Sequence, residues 1–123
     1  MKILIVDDYA TMRRIMRNLL SQLNLTDVNE ASNVETALIE LKKNKYGLVL
    51  CNDSLPPQSG LDLLKAIRND SELSNLPFVM VLDESNTSTE SIIAARKAGV
   101  SNVIRKPFNA ETLKGKLTSV LGL

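Results

Sequence analysis

Five short apolar runs alternate with five longer stretches of helical period, and that rhythm restricts the chain to few folds. The runs are Lys2–Asp7, Val28–Ala31, Leu48–Asn52, Phe78–Leu82 and Asn102–Arg105. Their brevity and their Val, Ile and Leu content suit strands covered on both faces. Between them, apolar residues fall on one helical face. Met12, Ile15, Met16, Leu19, Leu20 and Leu23 form one stripe, and Val34, Ala37, Leu38 and Leu41 a second. Leu61, Leu64 and Ile67 form a third, and Leu113, Leu117, Val120 and Leu121 the last. Segment 88–98 carries a thinner stripe of Ile92, Ile93 and Ala95. Strands alternating with helices predict an α/β fold, a three-layer sandwich around a five-stranded parallel sheet. Local signals agree. Ser32 with Glu35, and Thr87 with Glu90, have capping-box spacing, and Asn109 suits an N-cap. Gly47 and Gly99 stand where a left-handed residue would close a helix.

With 123 residues, the chain is read as one domain spanning residues 1–123, long enough to bury a core. A net charge of +1 gives no bulk attraction to nucleic acid or to an anionic membrane. The charge is unevenly placed: from Arg96 onward, six basic residues face a single acid, Glu111. That is either a partner-facing surface or a solvated face. Cys51 is the sole cysteine, so no internal disulfide can form, and a reducing, cytoplasmic setting is expected. The opening apolar run is broken at Asp7-Asp8, too soon for a signal peptide or a membrane span. Histidine is absent, which removes imidazole acid–base chemistry and the usual zinc sites.

In such a sheet, ligands bind beyond the carboxyl ends of the strands. Those ends carry Asp7-Asp8, Asn52-Asp53, Leu82-Asp83-Glu84 and Lys106-Pro107. Two adjacent carboxylates can hold a magnesium ion, which prefers oxygen ligands and keeps several waters. A lysine at the last strand end can neutralise an anion as a point charge. Each feature alone is weak; Asp-Asp at a strand end is often only a turn that starts a helix.

Together they resemble the receiver domain of two-component response regulators, along the whole chain. The resemblance rests on Ile5-Val6-Asp7-Asp8, on Leu55-Pro56 with Gly60-Leu61-Asp62-Leu63-Leu64, on Ala98-Gly99-Val100-Ser101, and on Lys106-Pro107-Phe108. The stretch Asp8 to Leu20 looks like the chemotaxis branch, the CheY-like regulators. The resemblance implies a flavodoxin-like sheet with strand order 2-1-3-4-5, a cis Lys106–Pro107 bond, and signalling rather than enzymatic work. It implies that Asp7 and Asp8 bind magnesium and that Lys106 contacts a phosphoryl group. Asn52 falls on the phosphoacceptor position, four residues before Pro56 and eight before Gly60. Leu82 falls on the hydroxyl residue that follows the phosphoryl group, and Val103 on the aromatic that changes rotamer. Asp83 stands where the family usually keeps a small residue.

Phosphoryl transfer needs a carboxylate nucleophile, and Asn52 offers a neutral amide. Leu82 has no hydroxyl and Val103 no ring. Asp7, Asp8 and Lys106 sum to −1, one negative charge fewer than with Asp at 52, so magnesium binding should be weakened. Asp83 would restore some acidity or block a phosphodonor. The expectation is a degenerate pseudo-receiver of a chemotaxis-type phosphorelay. It would be unphosphorylated at Asn52 and would act by contact with protein partners: a histidine kinase, or a chemotaxis or motor component. Neither nucleic acid nor membrane is expected, and the protein should be a monomer or weak dimer. Two alternatives stay open. In the first, the domain is a working phosphoacceptor that uses Asp53 or Asp83, or Asn52 is an engineered change. Asp53 should point to the opposite face of the sheet and is one residue out of register with Gly60. In the second, the domain is a scaffold or dimerisation module that ignores the pocket. Cys51 is expected to be a small buried hydrophobe, Tyr46 to pack at a strand start, and Arg13, Arg14 and Arg17 to form a solvated helix face.

Overall fold

In a computed structural model that describes residues 1–83 and 88–122, the elements follow the expected alternation. They are β1 (Ile3–Val6), α1 (Ala10–Gln22), β2 (Val28–Ala31), α2 (Val34–Lys43), β3 (Leu48–Asn52), β4 (Ser54–Leu55), β5 (Gln58–Ser59), α3 (Gly60–Arg68), β6 (Phe78–Leu82), α4 (Thr89–Lys97), β7 (Asn102–Arg105) and α5 (Ala110–Leu121). Five strands form a parallel sheet in the order β2-β1-β3-β6-β7. Because β4 and β5 form a separate antiparallel hairpin, this is the flavodoxin-like order with one small insertion.

Side-chain alternation along the strands sorts the core into two halves. Ile3, Ile5, Leu48, Leu50, Val79, Val81 and Ile104 pack with Met16 and Leu20 of α1 and with Leu113 and Leu117 of α5. Leu4, Val6, Val49, Cys51, Met80, Leu82 and Val103 pack on the other face with α2, α3 and α4. The register pairs Val6 with Cys51 and Asn52 with Val81, so the strands end level with one another. That levelling gathers the strand-end residues of distant sequence on one rim.

Several local expectations are corrected. Helix α2 is capped by Asn33, whose Oδ1 accepts from the Thr36 N–H at 2.8 Å, so Ser32 lies one residue too early. Helix α4 is capped by Ser88, whose Oγ accepts from the Ser91 N–H; Thr87 lies outside the described residues. Gly99 has the left-handed conformation, φ +94°, but Gly47 does not, because α2 already ends at Asn44. Asn24, at φ 64°, is the left-handed residue after α1. Asn109 caps α5 as expected. The hairpin β4–β5 was not anticipated, nor was the reciprocal Ser59–Asp62 capping box at the start of α3. Lys106–Pro107 is cis, and so is Pro56–Pro57. Cys51 is fully buried and Tyr46 is 8% exposed, with its hydroxyl bonded to Asn29 and Glu40.

Candidate functional site

The rim of the sheet assembles Asp7 and Asp8 after β1, Asn52 and Asp53 around the end of β3, Leu82 and Asp83 around the end of β6, and Lys106 after β7. Asp7 continues β1 in the register that sends Ile3 and Ile5 toward α1 and α5, and it is fully buried. Its Oδ1 accepts the Tyr9 N–H at 2.9 Å, which forms the turn that leads into α1. Its Oδ2 makes no hydrogen bond among the described residues and lies 3.9 Å from the Lys106 ammonium. The turn role weighed in the sequence and a close approach to Lys106 therefore coexist in one carboxylate. Burial raises the Asp7 pKa from its ordinary 3.8; the Tyr9 N–H and Lys106 oppose this, while Asp8 adds to it. Asp8 itself is exposed.

Asn52 is 5% exposed, beside the buried Val81 of β6. Its Nδ2 donates to the Ser54 carbonyl at 3.0 Å, which ties the strand end to the β4–β5 hairpin. Its Oδ1 is buried with no hydrogen-bond partner among the described residues. Gly60 seats this strand end from the other side. A Cβ there would lie 2.4 Å from the Asn52 carbonyl oxygen, so only glycine allows the approach.

Asp53 points to the α3/α4 side of the sheet, as strand alternation requires, where it lines a cavity with Leu82. Its Oδ1 is buried as well, with no hydrogen-bond partner among the described residues. Burial raises its pKa; Lys106 lowers it and Asp83 raises it further. So Asp53 lies on the far face yet shares the lysine's field, a closeness that alternation alone does not reveal. The Cys51 thiol is held well above its ordinary range by burial, with Asp7 and Asp53 adding to the effect, and is inert. Leu82 and Val103 are both buried in the α3/α4 half of the core.

Sequence reasoning missed a clamp behind the acid pair. Arg13 donates to the Asp7 carbonyl at 2.6 Å and to Glu30 Oε1 at 2.8 Å, while Arg17 donates twice to Glu30 Oε2. The expected solvated arginine face is thus replaced, at Arg13, by a bridge from α1 to β2 that holds the Asp7 backbone; Arg14 stays exposed, and Arg17, though paired with Glu30, keeps a side chain 42% exposed. The signal was the i, i+4 spacing of two arginines opposite an acid on the neighbouring strand.

No three side chains of Asp, Glu, Cys or His are gathered as a metal cage among the described residues. A magnesium site needs less: oxygen donors and room for water. The unpartnered Asp7 Oδ2 and Asn52 Oδ1 are donors of that kind, and the residues fit such an ion with one carboxylate fewer than three.

Among the described residues, no helix is long and apolar enough to cross a membrane. The family model for the response regulator receiver domain matches residues 3–118. The chain is 48% identical to chemotaxis protein CheY-3 of Vibrio cholerae over 120 residues, covering 98% of this chain and 91% of that protein. It is 42% identical to chemotaxis protein CheY of Pseudomonas aeruginosa, covering 98% of this chain and 95% of that protein. Among solved structures, the chemotaxis response regulator CheY4 of Vibrio cholerae superposes with a TM-score of 0.86 at 29% identity, covering 98% of each chain. The chain belongs to the response regulator receiver domain family.

Proposed function

We propose that this receiver domain is a pseudo-receiver of a chemotaxis-type two-component pathway. It takes no phosphoryl group at Asn52 and signals by contact with a protein partner. One observation carries the reading: the residue 52 side chain is a hydrogen-bond donor committed to Ser54. A neutral amide held by its nitrogen offers no carboxylate to attack a phosphohistidine. Leu82 gives no hydroxyl to follow a phosphoryl oxygen, and Val103 gives no ring to reorient. The contact face is built from α4, β7 and α5, where Arg96, Lys97, Arg105 and Lys114 are exposed and suit an acidic partner.

Asp7 and Asp8 would hold magnesium, with the Asn52 carbonyl oxygen as a neutral third donor. When bound, the ion supplies positive charge against phosphoryl oxygens. Lys106 balances Asp7 across 3.9 Å. Incubation with magnesium and acetyl phosphate followed by intact mass measurement tests the proposal. Unchanged mass is expected, and an added phosphoryl mass on the native chain would overturn it. Asn52→Asp should gain both the label and tighter magnesium binding.

A second reading is favoured by one feature, the Asp53 carboxylate within the field of Lys106. If Asp53 were the acceptor, label on the native chain would vanish in Asp53→Asn and persist in Asn52→Ala. A plain scaffold would instead keep full partner affinity in Asp8→Ala, with or without magnesium.

A further inference from the structure

The Asp7–Asp8 turn is held through its backbone, and one of the holding groups is a side chain of α1. The Asp7 N–H donates to the Ala31 carbonyl of β2 at 3.1 Å, and the Tyr9 N–H donates to Asp7 Oδ1 at 2.9 Å. The Asp7 carbonyl belongs to the peptide that leads into Asp8, and Arg13 Nη1 donates to it at 2.6 Å. The guanidinium is fixed at a second point, because its Nε donates to Glu30 Oε1 at 2.8 Å. Arg17 in turn holds the other Glu30 oxygen. Arg13 is also the deeper of the two arginines, with a side chain 18% exposed against 42% for Arg17. A rigid planar fork suits such a two-point hold better than the flexible point charge of a lysine.

The charge of Arg13 is met by Glu30, while the Asp7 carboxylate has Lys106 as a cationic neighbour. What Arg13 gives the acid pair is direction. Rotation of the Asp7–Asp8 peptide would carry the Asp8 side chain with it. Asp7 is fully buried and Asp8 exposed, so Asp8 is the carboxylate that an arriving cation meets first. Direction matters unequally among cations. Magnesium demands near-ideal octahedral geometry at short distances, whereas calcium accepts longer bonds and irregular shells.

We propose that Arg13, oriented by Glu30, is a positioning residue that sets the Asp8 carboxylate for magnesium in preference to calcium. The inference rests on the magnesium site proposed above and assigns its selectivity to a side chain that touches no ion. It is independent of whether residue 52 takes a phosphoryl group.

Amide-resolved NMR of the whole ¹⁵N-labelled chain, titrated separately with magnesium chloride and calcium chloride, tests it through the shifts at residues 7–9. Arg13→Gln should weaken magnesium about tenfold, the lower end of what partners behind metal ligands contribute. Calcium should weaken by less, so the preference for magnesium falls. Arg13→Lys keeps the charge without the fork and should lose part of that preference. Arg14→Gln removes an equal charge from an exposed position of the same helix and should leave the preference unchanged. The same spectra report whether each variant is folded, and if Arg13→Gln unfolds, Arg13→Lys decides. Tighter binding of both ions in Arg13→Gln would mean that the arginine acts by charge, which overturns the proposal. Equal weakening of both ions, the result of a merely structural role, overturns it too, as does a full preference kept in Arg13→Lys. A native chain that binds neither ion would remove the magnesium site itself, and the proposal with it.

Discussion

The rim of the sheet is fastened on one side and lightly held on the other. Helices α3 and α4 are both nine residues long, both begin at a serine cap and both cover the same sheet face. Yet α3 fully buries Gly60, Leu63, Leu64 and Ile67, whereas α4 buries only Ala95 and leaves Ile93 47% exposed. On the fastened side, the Ser59–Asp62 box starts α3, Gly60 seats against Asn52, and the Arg13–Glu30–Arg17 clamp holds the Asp7 backbone. Apolar area buried sets how much free energy opposes the opening of an element. The acid pair and residue 52 therefore sit on the rigid half. The face proposed for partner contact begins on the half that costs least to rearrange, and a contact-driven device needs that division.

The contrast can be broken most forcefully in α3. Leu64→Ala should destabilise the protein by about 3 kcal/mol in chemical denaturation, while Ile93→Ala in α4 should stay within about 0.5 kcal/mol. Similar losses at the two positions would erase the comparison. Gly60→Ala forces a Cβ against the backbone of Asn52 and should cost about 2 kcal/mol, with the largest NMR shifts at residues 52–54. Cap removal should be smaller, about 1 kcal/mol for Ser59→Ala. Ser88→Ala should cost less, and native-state hydrogen exchange should find α4 amides opening before those of α3. Equal protection of the two helices would remove the basis of the argument.

The clamp gives the smallest effect, and it depends on pH. Burial alone would raise the Glu30 pKa, but hydrogen bonds and charge from Arg17 and Arg13 overcome it and leave it below the ordinary 4.5. Glu30 therefore stabilises the fold fully above about pH 4.5, and that contribution fades as pH falls through the lowered folded value. Glu30 is partly solvated, so Glu30→Gln should cost under about 1 kcal/mol at pH 7. The variant and the native chain should converge in acid, and a constant gap from pH 7 down to acid would show that the clamp acts through shape alone.

The sheet was legible because parallel strands buried on both faces read as unbroken apolar runs. Leu48–Asn52, Phe78–Leu82 and Asn102–Arg105 match the sequence expectation residue for residue, and β1 is shorter by one residue at each end. Helix boundaries were less legible because capping is decided by which of two adjacent polar residues reaches the third backbone N–H. At α2 that is Asn33 and not Ser32. The β4–β5 hairpin was hidden because its four residues are too few to show any period. Each rim position was visible from strand ends and spacing. The relations between positions were not: Arg13 on the Asp7 carbonyl, Asn52 on Ser54, and Asp53 within the field of Lys106 all join residues whose distances only the folded chain sets.

The approach of Gly60 to the Asn52 carbonyl bears on the history open to this chain. The approach of Gly60 to residue 52 is backbone against backbone and does not depend on which side chain stands there, although the amide's bond to the Ser54 carbonyl does. Asparagine and aspartate are nearly the same size, and their codons differ by a single base. A lineage that exchanged one for the other would thus keep the Gly60 contact, and a carboxylate could return to position 52 in one mutational step, with the bond to Ser54, Leu82 and Val103 left as the remaining differences.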